Sequence, residues 1–160
     1  MAKKLRYARL EKNDFINGEG ICVSFWTQGC PHRCPGCHNP ETWDFNGGIE
    51  ENLETIFNKI DKAMTANNIK RNFSILGGEP LCVQNIELTT LIVLYVKSHY
   101  PESKIYLWTG YDFQKEFTHS TLKEYVDVII DGPYIESLRD TTLKLRGSTN
   151  QRILYKGIDF

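Results

Sequence analysis

Apolar positions along the chain alternate between two periods. Ile21-Cys22-Val23-Ser24-Phe25-Trp26-Thr27 is short, β-branched and aromatic, and reads as a first strand. From about Glu50 to Ala66 the period lengthens. Leu53, Ile56, Phe57, Ile60 and Met64 recur every three or four residues, one face of a helix. Phe73-Ser74-Ile75-Leu76 is a second strand, Gln84 to Ser98 a second helix, and Lys104 to Trp108 a third strand after the break at His99-Tyr100-Pro101-Glu102. Short helices near Asp112 to His119 and Leu122 to Tyr125 lead into Val126-Asp127-Val128-Ile129-Ile130, apolar enough to be buried on both faces. Beyond Leu138 the periodicity fades, and Arg152-Ile153-Leu154-Tyr155 is the one later strand candidate.

Strands alternating with helices predict an α/β fold with a parallel sheet and right-handed crossovers. A closed eight-unit barrel needs about 250 residues, and this chain has 160. The expectation is therefore a partial, open TIM-like βα barrel of roughly four to six parallel strands. No repeat or low-complexity linker divides the chain, so residues 1–160 are read as a single domain.

Charge narrows the function classes. With 19 Lys and Arg against 20 Asp and Glu, the net charge of -1 offers no basic field for nucleic acid. The basic start Met1-Ala2-Lys3-Lys4 runs into Glu11, Lys12, Asn13 and Asp14 rather than an apolar stretch, so no secretory signal is expected. Leu88 to Val96 is about half the length that crosses a bilayer. A cytoplasmic, reducing setting follows, without nucleic acid or membrane as partner.

The chemistry is concentrated in Gly29-Cys30-Pro31-His32-Arg33-Cys34-Pro35-Gly36-Cys37-His38-Asn39-Pro40. Prolines deny this stretch a helix, and the C-x3-C-x2-C spacing gathers three thiols in one loop at the C-terminal end of the first strand. Iron-sulfur clusters ordinarily take four cysteines. Three would leave one iron open to a substrate. A structural zinc site completed by His32 or His38 is the alternative that the loop alone leaves standing. Five cysteines without a signal do not suit a disulfide scaffold; Cys22 and Cys82 are expected to be small buried hydrophobes. The second strand also runs into an unusual turn, Gly77-Gly78-Glu79-Pro80-Leu81, so two special loops are expected at the same end of the sheet.

The two motifs, in this order after successive strands, resemble the radical S-adenosylmethionine (SAM) superfamily. Asn17-Gly18-x-Gly20, Cys34-Pro35-Gly36-Cys37-x-Asn39, Thr42-Trp43, Trp108-Thr109-Gly110-Tyr111, Asp131-Gly132 and Arg146-Gly147-Ser148-x-Asn150-Gln151 resemble a narrower family, the glycyl-radical activases of anaerobic ribonucleoside-triphosphate reductase. The resemblance implies that Cys30, Cys34 and Cys37 bind three irons of a [4Fe-4S] cluster and that SAM chelates the fourth. It also implies that the 5′-deoxyadenosyl radical takes a hydrogen atom from a glycine in the reductase large subunit, with a flavodoxin-like protein as reductant.

Under this resemblance Gly36, Cys37 and His38 lie near the adenosyl group. Gly77 and Gly78 let backbone approach SAM, and Glu79 accepts from its ammonium. No general acid or base is expected. Many superfamily members carry an aromatic residue where this chain has Gly36. Arg146, Ser148, Asn150 and Gln151 would line the mouth toward the partner or form a solvated face, and Trp43 and Trp108 would pack at the rim. Rival readings are a pyruvate formate-lyase activase or a deazaguanine-type synthase within the same superfamily, and a zinc-binding interaction module outside it.

Overall fold

The computed structural model describes residues 4–160; the basic start at residues 1–3 lies outside them. The chain forms β1 (Lys4–Asp14), β2 (Cys22–Thr27), β3 (Ile49–Asn52), α1 (Leu53–Thr65), β4 (Asn72–Gly77), α2 (Ile86–His99) and β5 (Ile105–Trp108). Two one-turn helices, α3 (Phe113–Glu116) and α4 (Leu122–Tyr125), then precede β6 (Val128–Asp131) and β7 (Arg152–Tyr155). All seven strands join one mixed sheet in the order β3-β1-β2-β4-β5-β6-β7.

The centre of the sheet is parallel, as the alternating pattern implies: β2, β4, β5 and β6 pair side by side. Both flanks differ from an all-parallel arrangement. β1 runs antiparallel to β2 and β3 to β1 on one side, and β7 antiparallel to β6 on the other. Four parallel strands fall within the expected four to six, but three antiparallel strands on the flanks make the sheet mixed and bring it to seven. The sheet is open, with β3 and β7 at its two edges.

Strand alternation sends Val23, Phe25, Phe73, Ile75, Ile105, Leu107 and Ile129 to the face covered by the helices. There they meet Ile56, Ile60 and Met64 of α1 and Leu88, Ile92 and Val96 of α2, so the helical stripe read from the sequence is core. α1 begins later than its apolar period suggests. Residues 49–52 pair with β1 first, and the Asn52 side chain then accepts from Thr55 N–H as the helix N-cap. The opposite face carries a smaller cluster, Tyr106, Val128 and Ile130, on which Trp108, Leu145 and Ile153 pack. The last segment of the chain therefore covers only part of that face.

Register fixes the site. Thr27 pairs with Gly77, Ile75 with Leu107 and Trp108 with Ile130, so the four parallel strands end level with one another. The turns that follow β2, β4, β5 and β6 emerge on one rim.

Candidate functional site

The cysteine loop is built onto the turn after β4. Gly78 N–H donates to Thr27 O at 3.0 Å and Glu79 N–H to Gly29 O at 2.8 Å. Backbones approach closely here, which accounts for both glycines. A Cβ on Gly77, at φ +115°, would lie 2.6 Å from the Thr27 nitrogen, and one on Gly78 would lie 2.4 Å from Gly29 O. Gly29 N–H in turn donates to Thr42 O and Cys30 N–H to Trp43 O, closing the loop on the short helical turn Pro40–Thr42.

Cys30, Cys34 and Cys37 line one pocket of about 210 Å³ with His38, Trp43, Gly77, Gly78, Glu79 and Trp108. All five cysteines are free thiols. Burial pushes the Cys30 thiol up to about 11 and also raises Cys34, so metal binding must displace protons from the loop. Among the described residues no three metal-ligating side chains converge closely enough for a single ion. A zinc site draws its thiolates to about 2.3 Å from one point, whereas an iron-sulfur cluster takes each thiolate at a separate iron. Three thiols lining one pocket can each be taken by a separate iron. The Trp43 indole N–H is buried beside them without a protein acceptor, a donor that a ligand in the pocket can satisfy.

Glu79 is the most constrained polar group of the pocket, 1% exposed. One carboxylate oxygen contacts His32 Nε2 at 2.7 Å and accepts from Gly110 N–H at 2.6 Å. The other accepts from Leu81 N–H at 2.9 Å and from the Thr109 hydroxyl at 2.7 Å. A carboxylate offers about four acceptor positions, and all four are used by the protein. The ammonium contact suggested for Glu79 from sequence therefore meets a group already saturated. His32 is held by Glu79, lies edge-on to Tyr111 and sits on Gly110, where a Cβ would come 2.8 Å from its ring. It locks the cysteine loop to the turn after β5.

Of the residues singled out from sequence, Cys30, Cys34, Cys37, His38, Gly77, Gly78 and Glu79 line the pocket, and Gly36 does not. Gly36 adopts φ +76° and faces Glu136 instead. Cys22 and Cys82 are buried outside the pocket. In the Arg146–Gln151 run, Gly147 and Gln151 line the pocket, and the polar side chains are engaged with backbone. Ser148 is fully buried and its hydroxyl accepts from Ile135 N–H. Gln151 accepts from Gly147 and Ser148 N–H and donates to Gly132 O, while Asn150 donates to Pro133 O. These side chains brace the turn after β6 into a wall of the pocket.

Two contributors escaped the sequence reading. Asn85, 5% exposed, donates through one amide nitrogen to both Gly29 O and Glu79 O, stapling the two motifs together. Tyr134, on the braced turn, packs against His38 with ring centroids 5.3 Å apart. Asn85 stands where a helix cap is common; nothing local marks Tyr134.

Away from this rim, a hollow of about 1000 Å³ lies between Phe15, Ile16, Tyr106, Leu145 and Ile158. It is the larger space but holds none of the cysteines. Among the described residues no helix is long and apolar enough to cross a membrane.

Residues 16–154 match the model of the 4Fe-4S single cluster domain. The chain is similar to the anaerobic ribonucleoside-triphosphate reductase-activating protein of Enterobacteria phage T4, 39% identical over 150 residues, covering 93% of each chain. The protein of that name from Haemophilus influenzae is 32% identical over 93% of this chain and 97% of its own. That from Escherichia coli K12 is 31% identical over 92% and 96%.

Proposed function

The chain belongs to the 4Fe-4S single cluster domain family and, within it, to the activating proteins of anaerobic ribonucleoside-triphosphate reductase; from that membership we propose that it is a radical SAM activase that generates a glycyl radical on the reductase. The observation that carries the proposal is the joining of the Cys30–Cys37 loop to the Gly77–Glu79 turn by backbone hydrogen bonds at one rim of the sheet. When bound, the [4Fe-4S] cluster would supply one electron to SAM, whose cleavage to methionine would provide the 5′-deoxyadenosyl group for hydrogen abstraction; the organic chemistry is the cofactor's.

The chain's own residues position and shelter. Cys30, Cys34 and Cys37 would hold the cluster, and three ligands would leave one iron for SAM. Gly77 and Gly78 present bare backbone to the pocket, so the SAM amino and carboxylate groups meet no side chain there. Glu79 holds the rim together through His32, Thr109 and Gly110. Trp43 and Trp108 give the pocket apolar walls that exclude water from the reacting centre. Trp108 is fixed by its indole N–H, which donates to Leu145 O at 2.8 Å. The partner is the reductase large subunit, whose glycine offers an α-hydrogen with no side chain to block approach. A flavodoxin-like protein delivers the electron.

The test is anaerobic. The protein is reconstituted with iron and sulfide, reduced and given SAM, with and without the reductase. Formation of 5′-deoxyadenosine together with a glycyl radical seen by electron paramagnetic resonance is the expected result. Cleavage with no radical on the reductase moves the substrate elsewhere in the superfamily. Tight zinc binding with no four-iron cluster defeats the proposal.

A further inference from the structure

The sheet face turned away from the helices keeps large apolar groups in water. Phe15, Ile16 and Ile158 are 69%, 81% and 83% exposed. With Tyr155 they form two lips of the hollow of about 1000 Å³, which Tyr106 and Val128 also line. A lone exposed apolar side chain is ordinary, but several around one concavity mark an interaction surface. Both lips are braced. On one, the Asp14 carboxylate accepts from Ile16 and Asn17 N–H, and the Ser74 hydroxyl donates to Asn17 O. On the other, Gly157 N–H donates to Phe160 O, and the Asp159 carboxylate accepts from Tyr155 N–H. The apolar groups are thus presented on fixed backbone, so little ordering entropy opposes a partner that covers them.

Two further observations identify the occupant. The hollow adjoins the thiol pocket: Tyr106 lines the one and Trp108 the other, with ring centroids 6.3 Å apart on the same strand. Leu145 lines the hollow while its carbonyl fixes the Trp108 indole. The charges around the hollow are also unbalanced. Both of its acids are engaged within the chain, Glu19 by Lys104 at 3.0 Å and Asp127 by Lys97 at 2.8 Å. Lys144 and Lys156 also line it and meet no carboxylate among the described residues; the Lys156 ammonium donates to Glu124 O. An apolar concavity with surplus cations at its border is complementary to an acidic, apolar-tipped segment.

We propose that this hollow is a docking surface for the protein that the chain activates. A segment of the reductase with apolar anchors flanked by Asp or Glu seats between the two lips, and its glycine-bearing part reaches the adjoining thiol pocket. The inference rests on the activase reading above and adds where the reductase is held.

The test uses the anaerobically reconstituted full chain and purified reductase large subunit. Binding is followed by fluorescence anisotropy of the labelled reductase, and glycyl radical formation by electron paramagnetic resonance at increasing reductase concentration. The double variant Ile16→Ser/Ile158→Ser is expected to weaken binding and raise the KM for the reductase about tenfold or more. Lys144→Glu is expected to weaken binding about two- to fivefold, with the difference shrinking at high salt. Both changes are at exposed positions, so iron content and reductase-free cleavage of SAM by dithionite-reduced protein should match the wild type. Leu94→Ser, on the helix side and 39% exposed, should bind the reductase normally. The proposal is overturned if the double variant binds the reductase like the wild type, if Leu94→Ser loses as much, or if reductase-free SAM cleavage falls in step with binding. It is also overturned if the wild type sediments as a dimer that the double variant dissociates, which assigns the surface to self-association. A wild type that cleaves SAM yet neither binds nor activates the reductase removes the activase reading itself.

Discussion

Glu79→Gln tests the claim that this carboxylate holds the rim of the sheet together. The amide matches the carboxylate in shape but replaces one oxygen by a donor. Placed at the first oxygen position, the NH2 meets the Gly110 N–H; placed at the second, it meets the Leu81 N–H. Neither backbone donor can turn round, unlike the Thr109 hydroxyl or a histidine tautomer. One buried N–H is therefore stranded whichever way the amide lies, at about 1–3 kcal/mol. Weakened charge-assisted bonds to the remaining donors bring the expected loss to about 3 kcal/mol. For a chain of this length that lowers the melting temperature by roughly 6–12 °C. The assay is urea and thermal unfolding of the cluster-free protein followed by circular dichroism under reducing conditions. A glutamate whose main partner was the cofactor would leave that stability untouched. A Glu79→Gln protein within 0.5 kcal/mol of wild type would refute the reasoning.

Other expectations follow from the same geometry. Asn85→Leu removes the amide that bridges Gly29 O and Glu79 O; it should cost about 1–3 kcal/mol in urea unfolding and speed iron loss to a chelator. Replacing Cys30, Cys34 or Cys37 by Ala should abolish the stable four-iron absorbance, whereas Cys22→Ala and Cys82→Ala should retain iron, as assayed by iron content after anaerobic desalting. Burial opposes ionisation of Asp14, but hydrogen bonds from the Asn17 side chain and from Asn17 and Ile16 N–H outweigh it and hold the carboxyl below its ordinary value. Its contribution is thus complete above the unfolded value of about 3.9 and is lost as pH falls through the lower folded one. Asp14→Asn should flatten the acid limb of a stability-against-pH curve, and an unchanged limb would contradict this.

The middle of the fold was legible because β2, β4, β5 and β6 are apolar runs that stop at glycine-rich turns. The flanks were hidden for physical reasons. In β1, register shifts between Tyr7 and Arg9 and between Glu11 and Asp14 break the two-residue period, so Leu5, Tyr7 and Leu10 do not read as a strand. Residues 49–52 carry Glu50 and Glu51, suited to a helix start, and become β3 only because β1 offers an edge. In the site, the meeting of the cysteine loop and the Gly-Gly-Glu turn could be read from strand ends. Partners such as Asn85 and Gly29, 56 residues apart, could not, since no local pattern encodes them. The Arg146–Gln151 run was legible as special but not in its use. Its polar side chains look free in sequence and are spent on the backbone of residues 132–135 and on their own turn.

The antiparallel strands at either flank also decide how another chain can approach. An unpaired strand edge is a template on which a second polypeptide can add. Here both outer edges are poor templates. β3 has four residues, two of them glutamates, and covers β1 only as far as Tyr7, beyond which the rim carries Arg9, Glu11 and Lys12. β7 also has four residues, and the chain turns away at Lys156-Gly157. Short, charged edges discourage ribbon-like extension and self-association through the sheet. Pairing of another chain with either edge of the sheet is thereby disfavoured.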